Sequence, residues 1–351
     1  MPKILIKNGR VWDGEKFYVA DVLTDGAKII KIENKIDEIA DFSYDATDKI
    51  VSAGLVDIHV HFLGYFGINA ELACIPFGVT AAAEVFAAPQ SKEKYDNYLV
   101  KNKLFVSAEF KNNQVNYENI EKMLEYYKDR AIGIKVYFDT TISDIKDIEP
   151  LKEICTYAKS HHLIVMVHCP NSPATMSEII SVLNKGDILT HTYHGGVNTA
   201  ADDDYKCLKL AKEKGIILDA GFAANFHTDF GIFEEAIQNG CLPETISTDI
   251  TRFSAYKRGG RYGMTMCMGL AKKLGMTEED IFRSVTSAPA RALGKEEEWG
   301  FLKVGRCADI AVFDYGYEPF SLTDCRGNTI ESKESYRCVL TVANGEVVYR
   351  I

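Results

Sequence analysis

Short apolar segments alternate with amphipathic segments through the middle of this 351-residue chain, and this alternation restricts its fold more than any other feature. Each apolar run has the length of one buried strand, and helical patterns separate the runs. Strands that alternate with helices in this way form a parallel sheet covered by the helices. The eight runs lie at residues 55–61, 79–86, 104–110, 133–138, 163–169, 188–193, 216–221 and 245–250.

Both ends of the chain carry strand patterns without a helical period. Apolar or alternating runs follow the start, and an Asn344-Gly345 pair near the other end is typical of a hairpin turn. Eight strand–helix units between two such ends predict an α/β fold with a (β/α)8 TIM barrel over residues 53–300. The same pattern predicts a small β-sandwich-like unit formed by both termini, residues 1–52 plus 301–351.

One helix start can be read from local signals after the fifth run. Ser172 and Pro173 have the residue types of an N-cap and a first helical residue. Met176, Ile179 and Ile180 then follow at the spacing of one buried helix face. We therefore expect a helix that begins at Pro173.

Composition and charge exclude several classes of function. The net charge of −10 argues against a nucleic acid or an anionic membrane as the partner. No run of about 18 apolar residues is present, and the N-terminus lacks the apolar stretch of a signal peptide, so we expect a cytoplasmic protein. Nine scattered cysteines, an odd number without a C-x-x-C pair, are expected to be reduced and mostly buried. A small-molecule substrate fits these properties, and the chain is compatible with a homo-oligomer.

Two histidines end the first apolar run, in the segment D-I-H-V-H. Side chains alternate between the faces of a strand, so Asp57, His59 and His61 point the same way. Imidazoles at positions i and i+2 at a strand end can hold one metal ion together. A single H-x-H pair also occurs by chance, so this motif alone is weak.

Three further polar residues lie at or near the ends of later runs. His168 ends the fifth run, His191 lies near the end of the sixth, and Asp249 lies near the end of the eighth. Each has a structural reading, because a lone strand-end histidine is more often structural than a ligand and a buried aspartate can cap a helix. The joint pattern is far less common by chance. In a barrel these strand ends converge on one face, where the active sites of this fold occur.

Lys135 is an unusual residue for its position inside the hydrophobic segment A-I-G-I-K-V-Y. Burial disfavours the charged ammonium, so an unpaired lysine there would be costly. One reading is a buried stem whose head reaches water. The other is a neutral amine that adds carbon dioxide beside a metal and becomes a carbamate, an oxygen ligand able to bridge two cations.

With these residues in place, the chain resembles the amidohydrolase superfamily, in the binuclear branch that includes dihydroorotases, hydantoinases and N-acyl deacetylases. The segments T-S-A-P-A-R-A-L-G at 286–294 and G-F-L-K-V-G-R-C-A-D-I-A-V-F-D at 300–314 extend the match over nearly the whole chain. Within the superfamily, the segments V-M-V-H-C-P, G-D-I-L-T-H-T-Y-H-G and P-E-T-I-S-T-D-I look most like a deacetylase group often labelled dihydroorotase-like. The residues that carry the resemblance are His59, His61, Lys135, His168, His191 and Asp249.

The resemblance implies two divalent ions. His59, His61 and Asp249 would hold the more buried ion, His168 and His191 would hold the second, and carboxylated Lys135 would bridge them. Zinc suits such a donor set, with manganese or iron as alternatives. A metal-bridged hydroxide would attack a substrate carbonyl, and Asp249 would act as the catalytic proton carrier.

Further residues are candidates for substrate contact or for other roles. His194 lies in the loop after the sixth run, and Tyr137 follows Lys135; each has a structural reading of equal weight. Arg252, Arg258 and Arg261 follow the eighth run, where one of them could clamp a carboxylate, although surface arginines are commonly solvated. Cys169 should face away from the site, because its neighbour His168 faces in.

Dihydroorotases typically carry an arginine two residues after the second histidine of H-x-H, and this chain has Leu63 there. With Tyr65 and Phe66, Leu63 suggests an apolar wall. The leading hypothesis is therefore a hydrolase that cleaves an amide or ester bond of a small N-acyl or O-acyl amino or hydroxy acid, a probable deacetylase. The alternatives are a cyclic-amide hydrolase of dihydroorotase or hydantoinase type and a non-catalytic homologue that retains the ligands.

Overall fold

A computed structural model describes residues 2–86, 95–223, 225–257 and 259–351. Strands and helices are numbered here in chain order. The strands are β1 Lys3–Trp12, β2 Phe17–Asp25, β3 Lys28–Glu33, β4 Phe42–Asp45, β5 Ile50–Ala53, β6 Leu55–Val60, β7 Val79–Glu84, β8 Lys101–Ser107, β9 Phe110–Lys111, β10 Gln114–Val115, β11 Ala131–Tyr137, β12 Ile164–His168, β13 Ile188–Thr190, β14 Ile217–Leu218, β15 Ile310–Thr323, β16 Thr329–Ala343 and β17 Glu346–Arg350. The α-helices are α1 Ala70–Cys74, α2 Tyr117–Tyr126, α3 Glu149–Ser160, α4 Met176–Val182, α5 Lys206–Lys214, α6 Phe230–Gln238, α7 Arg252–Lys257, α8 Met264–Lys273, α9 Glu278–Val285 and α10 Ser287–Ala292.

A curled sheet of seven parallel strands forms the centre of the molecule, in the order β14-β13-β12-β11-β8-β7-β6. The eighth apolar run joins its two edges. One parallel bridge pairs Asp219 with Thr245 at the β14 side, and another pairs Val60 with Ile250 at the β6 side. The predicted barrel of eight runs is therefore confirmed.

The eighth run differs from the other seven because it forms bridges instead of a regular ladder. Asp249 adopts a left-handed backbone conformation, with φ of 47°, which breaks the extended geometry that a ladder requires. The third run is also displaced, because its strand is β8, and Phe110 belongs to the separate β9–β10 hairpin.

The strands from both ends of the chain share a second sheet, as predicted. Its order is β17-β16-β15-β5-β1-β2-β3, with β4 paired to β1. The link between the two ends is the antiparallel pairing of β5 with β15. Apolar residues of both ends, including Ile4, Val22 and Val342, are buried together in one cluster. The domain boundaries drawn from the sequence remain a prediction.

The expected start of the helix after the fifth run is wrong. Helix α4 begins at Met176, and its N-cap is Thr175. Thr175 and Glu178 form a capping box, in which each side chain accepts a hydrogen bond from the other residue's backbone N–H. Ser172 instead donates its hydroxyl to the carbonyl of Ala174, so it cannot cap a helix that starts at Pro173.

The cysteines are mostly buried, as expected. None of the nine forms a disulfide, and seven are buried. Among the described residues, every helix is too short or too polar to cross a bilayer.

Candidate metal centre

The six residues singled out at the strand ends of the sequence come together at the carboxyl edge of the barrel. Three of them, His59, Lys135 and His168, lie within β6, β11 and β12. The others directly follow a strand or lie in the eighth run. The side chain of Asp249 is 12% exposed, and each of the other five residues is at most 7% exposed. The set consists of His59, His61, Lys135, His168, His191 and Asp249.

The carboxylate of Asp249 is the centre of the first cluster. Its Oδ1 lies 2.8 Å from Nε2 of His61 and 3.3 Å from Nε2 of His59, and its Oδ2 lies 3.9 Å from Nε2 of His191. Nζ of Lys135 lies 3.4 Å from Nε2 of His59. Three imidazole nitrogens therefore lie within 4 Å of one carboxylate, and the lysine amine lies beside one of them.

The proton on the His59 ring can be assigned from its hydrogen bonds. Nδ1 of His59 lies 3.0 Å from the Thr190 hydroxyl, which donates its own proton to Oδ2 of Asp219 over 2.7 Å. The hydroxyl must therefore accept from His59, so Nδ1 carries the proton and Nε2 presents a lone pair toward Asp249. Metal-ligating histidines are held by second contacts of this kind.

The His191 ring is fixed by a backbone carbonyl. Its Nδ1 donates to the carbonyl of Gly221 over 2.6 Å, which again leaves the lone pair on Nε2. That Nε2 is buried without a hydrogen-bond partner among the described residues. His191 also has a left-handed backbone, with φ of 57°, a conformation that functional sites hold more often than other places do. A buried nitrogen lone pair with no donor is what a cation would satisfy.

Asp139 is a second carboxylate at the site that the sequence analysis missed. Its Oδ2 lies 3.3 Å from Nε2 of His168 and accepts from the Asn171 amide over 2.9 Å. Burial opposes ionisation of Asp139, but these hydrogen bonds and those of Thr141 hold its pKa below the usual range. The contact orients His168 and leaves Nδ1 as the nitrogen available to an ion. Asp139 follows Lys135 by four residues, so strand alternation was a signal for it.

Burial favours the neutral form of the His59, His168 and His191 imidazoles, which is the form that binds metal. Desolvation lowers the pKa of His59 and of His191 well below the ordinary value, with nearby Lys135 adding to the effect. Although burial opposes the charge on Asp249, the hydrogen bond with His61 helps to hold the pKa of its carboxyl below the ordinary range. Neutral imidazoles around an ionised carboxylate suit a divalent cation, so the residues present fit a metal.

Lys135 lies fully buried in β11. Burial lowers the pKa of its amine to about 7, against the opposing effect of Asp249. A substantial neutral fraction at neutral pH follows, and the neutral amine is the form that can react with carbon dioxide.

His227 is a further histidine at this centre that the sequence analysis did not single out. Its ring centroid lies 4.5 Å from that of His191 and 4.9 Å from that of His168. Two groups of residues have ligand atoms close enough to share an ion: His168 with His191 and His227, and His59 with His191 and Asp249. Because His227 lies in the loop six residues beyond the seventh run, no strand periodicity pointed to it.

The candidate substrate residues near the histidines occupy different surroundings. The ring of Tyr137 lies 5.7 Å from that of His168. His194 is buried, and its Nδ1 accepts from the backbone of Gly196, while its Nε2 has no partner among the described residues. Leu63 is buried in the hydrophobic core.

Arg252 and Arg261 lie in different parts of the molecule. The guanidinium of Arg252 lies 4.8 Å from the ring centres of both Tyr65 and Phe253, beside the loop that carries Phe66. Arg261 lines a different cavity, of about 260 Å³, between α8 and the C-terminal strands. Arg258 lies outside the described residues.

Cys169 is buried in the hydrophobic core next to His168. Its Sγ lies 3.9 Å from the carbonyl of Thr190, and burial raises the pKa of the thiol to about 12. A thiolate nucleophile at this position is therefore disfavoured.

Comparison with known proteins points to one family. The sequence model of the amidohydrolase family matches residues 50–348. A deacetylase of Enterococcus faecalis is 28% identical over 98% of this chain and 98% of its own length, and a deacetylase of Agrobacterium fabrum is 26% identical over 93% and 86%. A dihydroorotase crystal structure superimposes with a TM-score of 0.87 over 100% of this chain and 98% of its own, at 23% identity, which shows a shared fold.

Proposed function

The chain belongs to the amidohydrolase family, and we propose that it is a binuclear metal-dependent hydrolase of a small acylated amino or hydroxy acid. The observation that carries the proposal is the convergence of four imidazoles, a buried lysine and an ionised aspartate at one end of the barrel. This donor set is richer in nitrogen than a magnesium or calcium site and favours zinc, with manganese or iron as alternatives.

The proposed ligands divide into two groups around Lys135. His59, His61 and Asp249 would hold one ion, and His168 and His191 would hold the other. The neutral Lys135 amine would add carbon dioxide and release a proton, and the resulting carbamate would be a ligand shared by both ions. The buried amine supports this role, because an ammonium at that place would be buried with no carboxylate of the described residues within 4 Å.

The chemistry of such ions when bound is Lewis-acid activation of a water molecule and of the scissile carbonyl. The protein's own residues do the rest. Asp249 accepts the proton of the attacking water on its carboxylate and returns it to the leaving amine or alcohol. Asp139 orients the ring of His168, and Thr190 orients the ring of His59, so that each presents a nitrogen lone pair for metal binding.

The substrate class rests on the two deacetylases that match nearly the whole chain. The leaving group would be a small amino or hydroxy acid, and the released acid would be small, such as acetate. Leu63 supports this choice over a cyclic amide of dihydroorotase type. A buried leucine cannot form the paired N–H bonds with which an arginine recognises a carboxylate.

A side-by-side substrate screen tests the proposal. Metal-loaded protein is assayed against N-acetyl amino acids, O-acetyl hydroxy acids, dihydroorotate and hydantoins. We expect at least one acylated acid to reach a kcat/KM of about 10⁴ M⁻¹s⁻¹, the low end for true substrates, and dihydroorotate to remain below it. The reverse order would favour the cyclic-amide alternative, and no hydrolysis of either class would favour a non-catalytic homologue.

The control for this screen is Asp249→Asn. Loss of the proton carrier should lower kcat by about 10²–10⁴-fold on the best substrate. Metal content is measured on the same sample, so that lost metal is not mistaken for lost proton transfer. A variant within about threefold of wild type, far from that range, would exclude Asp249 from the role.

A further inference from the structure

The loop that follows the seventh apolar run is held by hydrogen bonds at His227 and at the next residue, Thr228. The carbonyl of His227 accepts from the N–H of Gly195 over 3.0 Å, and the next residue, Thr228, forms an antiparallel bridge with His194. The Thr228 hydroxyl also donates to the carbonyl of Phe222. These contacts fix the backbone of His227, so its ring has a defined place.

That place is beside the two histidines assigned above to the second ion. The potential ligand atoms of His168, His191 and His227 lie within 4.8 Å of one another. Nε2 is the His191 nitrogen available to this group, and it is buried with no hydrogen-bond partner in the described part of the chain. Since Nδ1 of the same ring is committed to Gly221, Nε2 has no proton to give and can only accept a proton or bind a metal.

We propose that His227 is a direct ligand of the second ion, which then has three imidazole donors besides the lysine-derived bridge. The proposal rests on the two-ion function above and adds a residue that the ligand pattern of the resemblance does not include. Three histidines form a complete protein donor set for zinc in other enzymes. The second ion would then have as many ligands besides the carbamate as the first ion, which has His59, His61 and Asp249.

A role of His227 in substrate contact alone is the competing explanation. The two explanations predict different metal binding in the absence of substrate. A ligand changes the affinity and the coordination of the ion in the resting protein, whereas a substrate contact changes KM and leaves the metal as it was.

The experiment is a cobalt titration of metal-free full-length protein, with bicarbonate present, followed by visible absorption. Wild type is compared with His227→Asn and His227→Gln and with His162→Asn as the matched control. His162 is an exposed histidine with a left-handed backbone that asparagine also adopts. Thermal melting of the metal-free variants checks that each is folded.

We expect wild type and His162→Asn to bind two equivalents with the same affinities and spectra. In both His227 variants, one of the two binding steps should weaken by at least about tenfold, since even an outer-shell partner is worth 10–100-fold in metal affinity. The spectrum of that equivalent should also change. Two binding steps within about twofold of wild type would overturn the proposal and leave the two-ion function standing. A wild-type protein that binds no cobalt would overturn both.

Discussion

Thr190 connects a buried carboxylate to a histidine of the candidate metal centre. Its hydroxyl accepts from His59 and donates to Asp219, which also receives the hydroxyls of Thr245 and Ser247. The carboxylate therefore acts on the His59 ring through a single oxygen atom. The tautomer of His59, and with it the direction of its lone pair, follows from this arrangement.

Thr190→Val keeps the shape of the side chain and removes that oxygen. We expect the affinity for one metal ion to fall by about 10–100-fold, as for other outer-shell partners of metal ligands. Thr192→Val is the matched control, because its buried hydroxyl bonds to the Leu189 carbonyl and to no histidine. Equal metal affinities of the two variants would contradict the role given to Thr190.

Lys135→Ala tests the carbamate. The variant loses the proposed bridge, and its metal affinity should fall by at least about tenfold. That is the lower limit for residues that contact a metal only through one of its ligands. Activity should fall with it. Acetate or propionate could occupy the vacated space with a carboxylate of similar shape and restore part of the activity. Full activity in Lys135→Ala without added carboxylate would show that no carbamate is needed.

Most of the residues at this centre could be read from the sequence because strand-end positions have a fixed period and face. His59, Lys135 and His168 lie within strands and were found in this way. His227 could not be found, because its position depends on how the loop folds back onto the loop of His194. The sequence carries no regular spacing for that contact.

At the scale of elements, β11 carries Lys135 and is packed closely against both neighbouring strands. A Cβ added at Gly133 would lie 2.1 Å from the backbone carbonyl oxygen of Ile164 and 2.7 Å from the ring of Phe105. A backbone atom cannot move aside as a flexible side chain does. The close approach of β11 to β12 therefore requires glycine at this position.

Gly133→Ala should lower the free energy of unfolding by about 1–3 kcal/mol, the cost of overpacking a core. Gly316→Ala is the control, because a Cβ there meets nothing within 4 Å. That control should stay within about 0.5 kcal/mol of wild type, as most surface changes do. Urea unfolding of both variants measures the difference, and equal losses would show that the packing of β11 is looser than described.

The elements themselves were largely predictable, and the deviations have local causes. All eight apolar runs enter the barrel, but the eighth lacks a regular ladder because Asp249 turns its backbone to a left-handed conformation. The cap of α4 was misplaced because the reciprocal bonds of Thr175 and Glu178 outcompete Ser172. Such competition between nearby caps depends on side-chain geometry, which residue types alone do not reveal.

At the scale of the whole molecule, the barrel face and the family follow from the sequence, while the substrate does not. Residues at the rim come from loops whose positions follow no period. Arg261 illustrates this, because it lines a cavity next to the C-terminal strands, whereas Arg252 is stacked on Tyr65 and Phe253. The identity of the acyl group and of the leaving acid is therefore left to the substrate screen.

The central claim is that two divalent ions at this centre carry out hydrolysis. Elemental analysis of metal-replete protein, combined with turnover measured as chelated protein is reloaded stepwise, tests it most directly. The account predicts about two ions per chain, with full activity reached only when both are bound, as in other two-metal hydrolases. One ion or none per fully active chain, or activity that survives complete chelation, would contradict it.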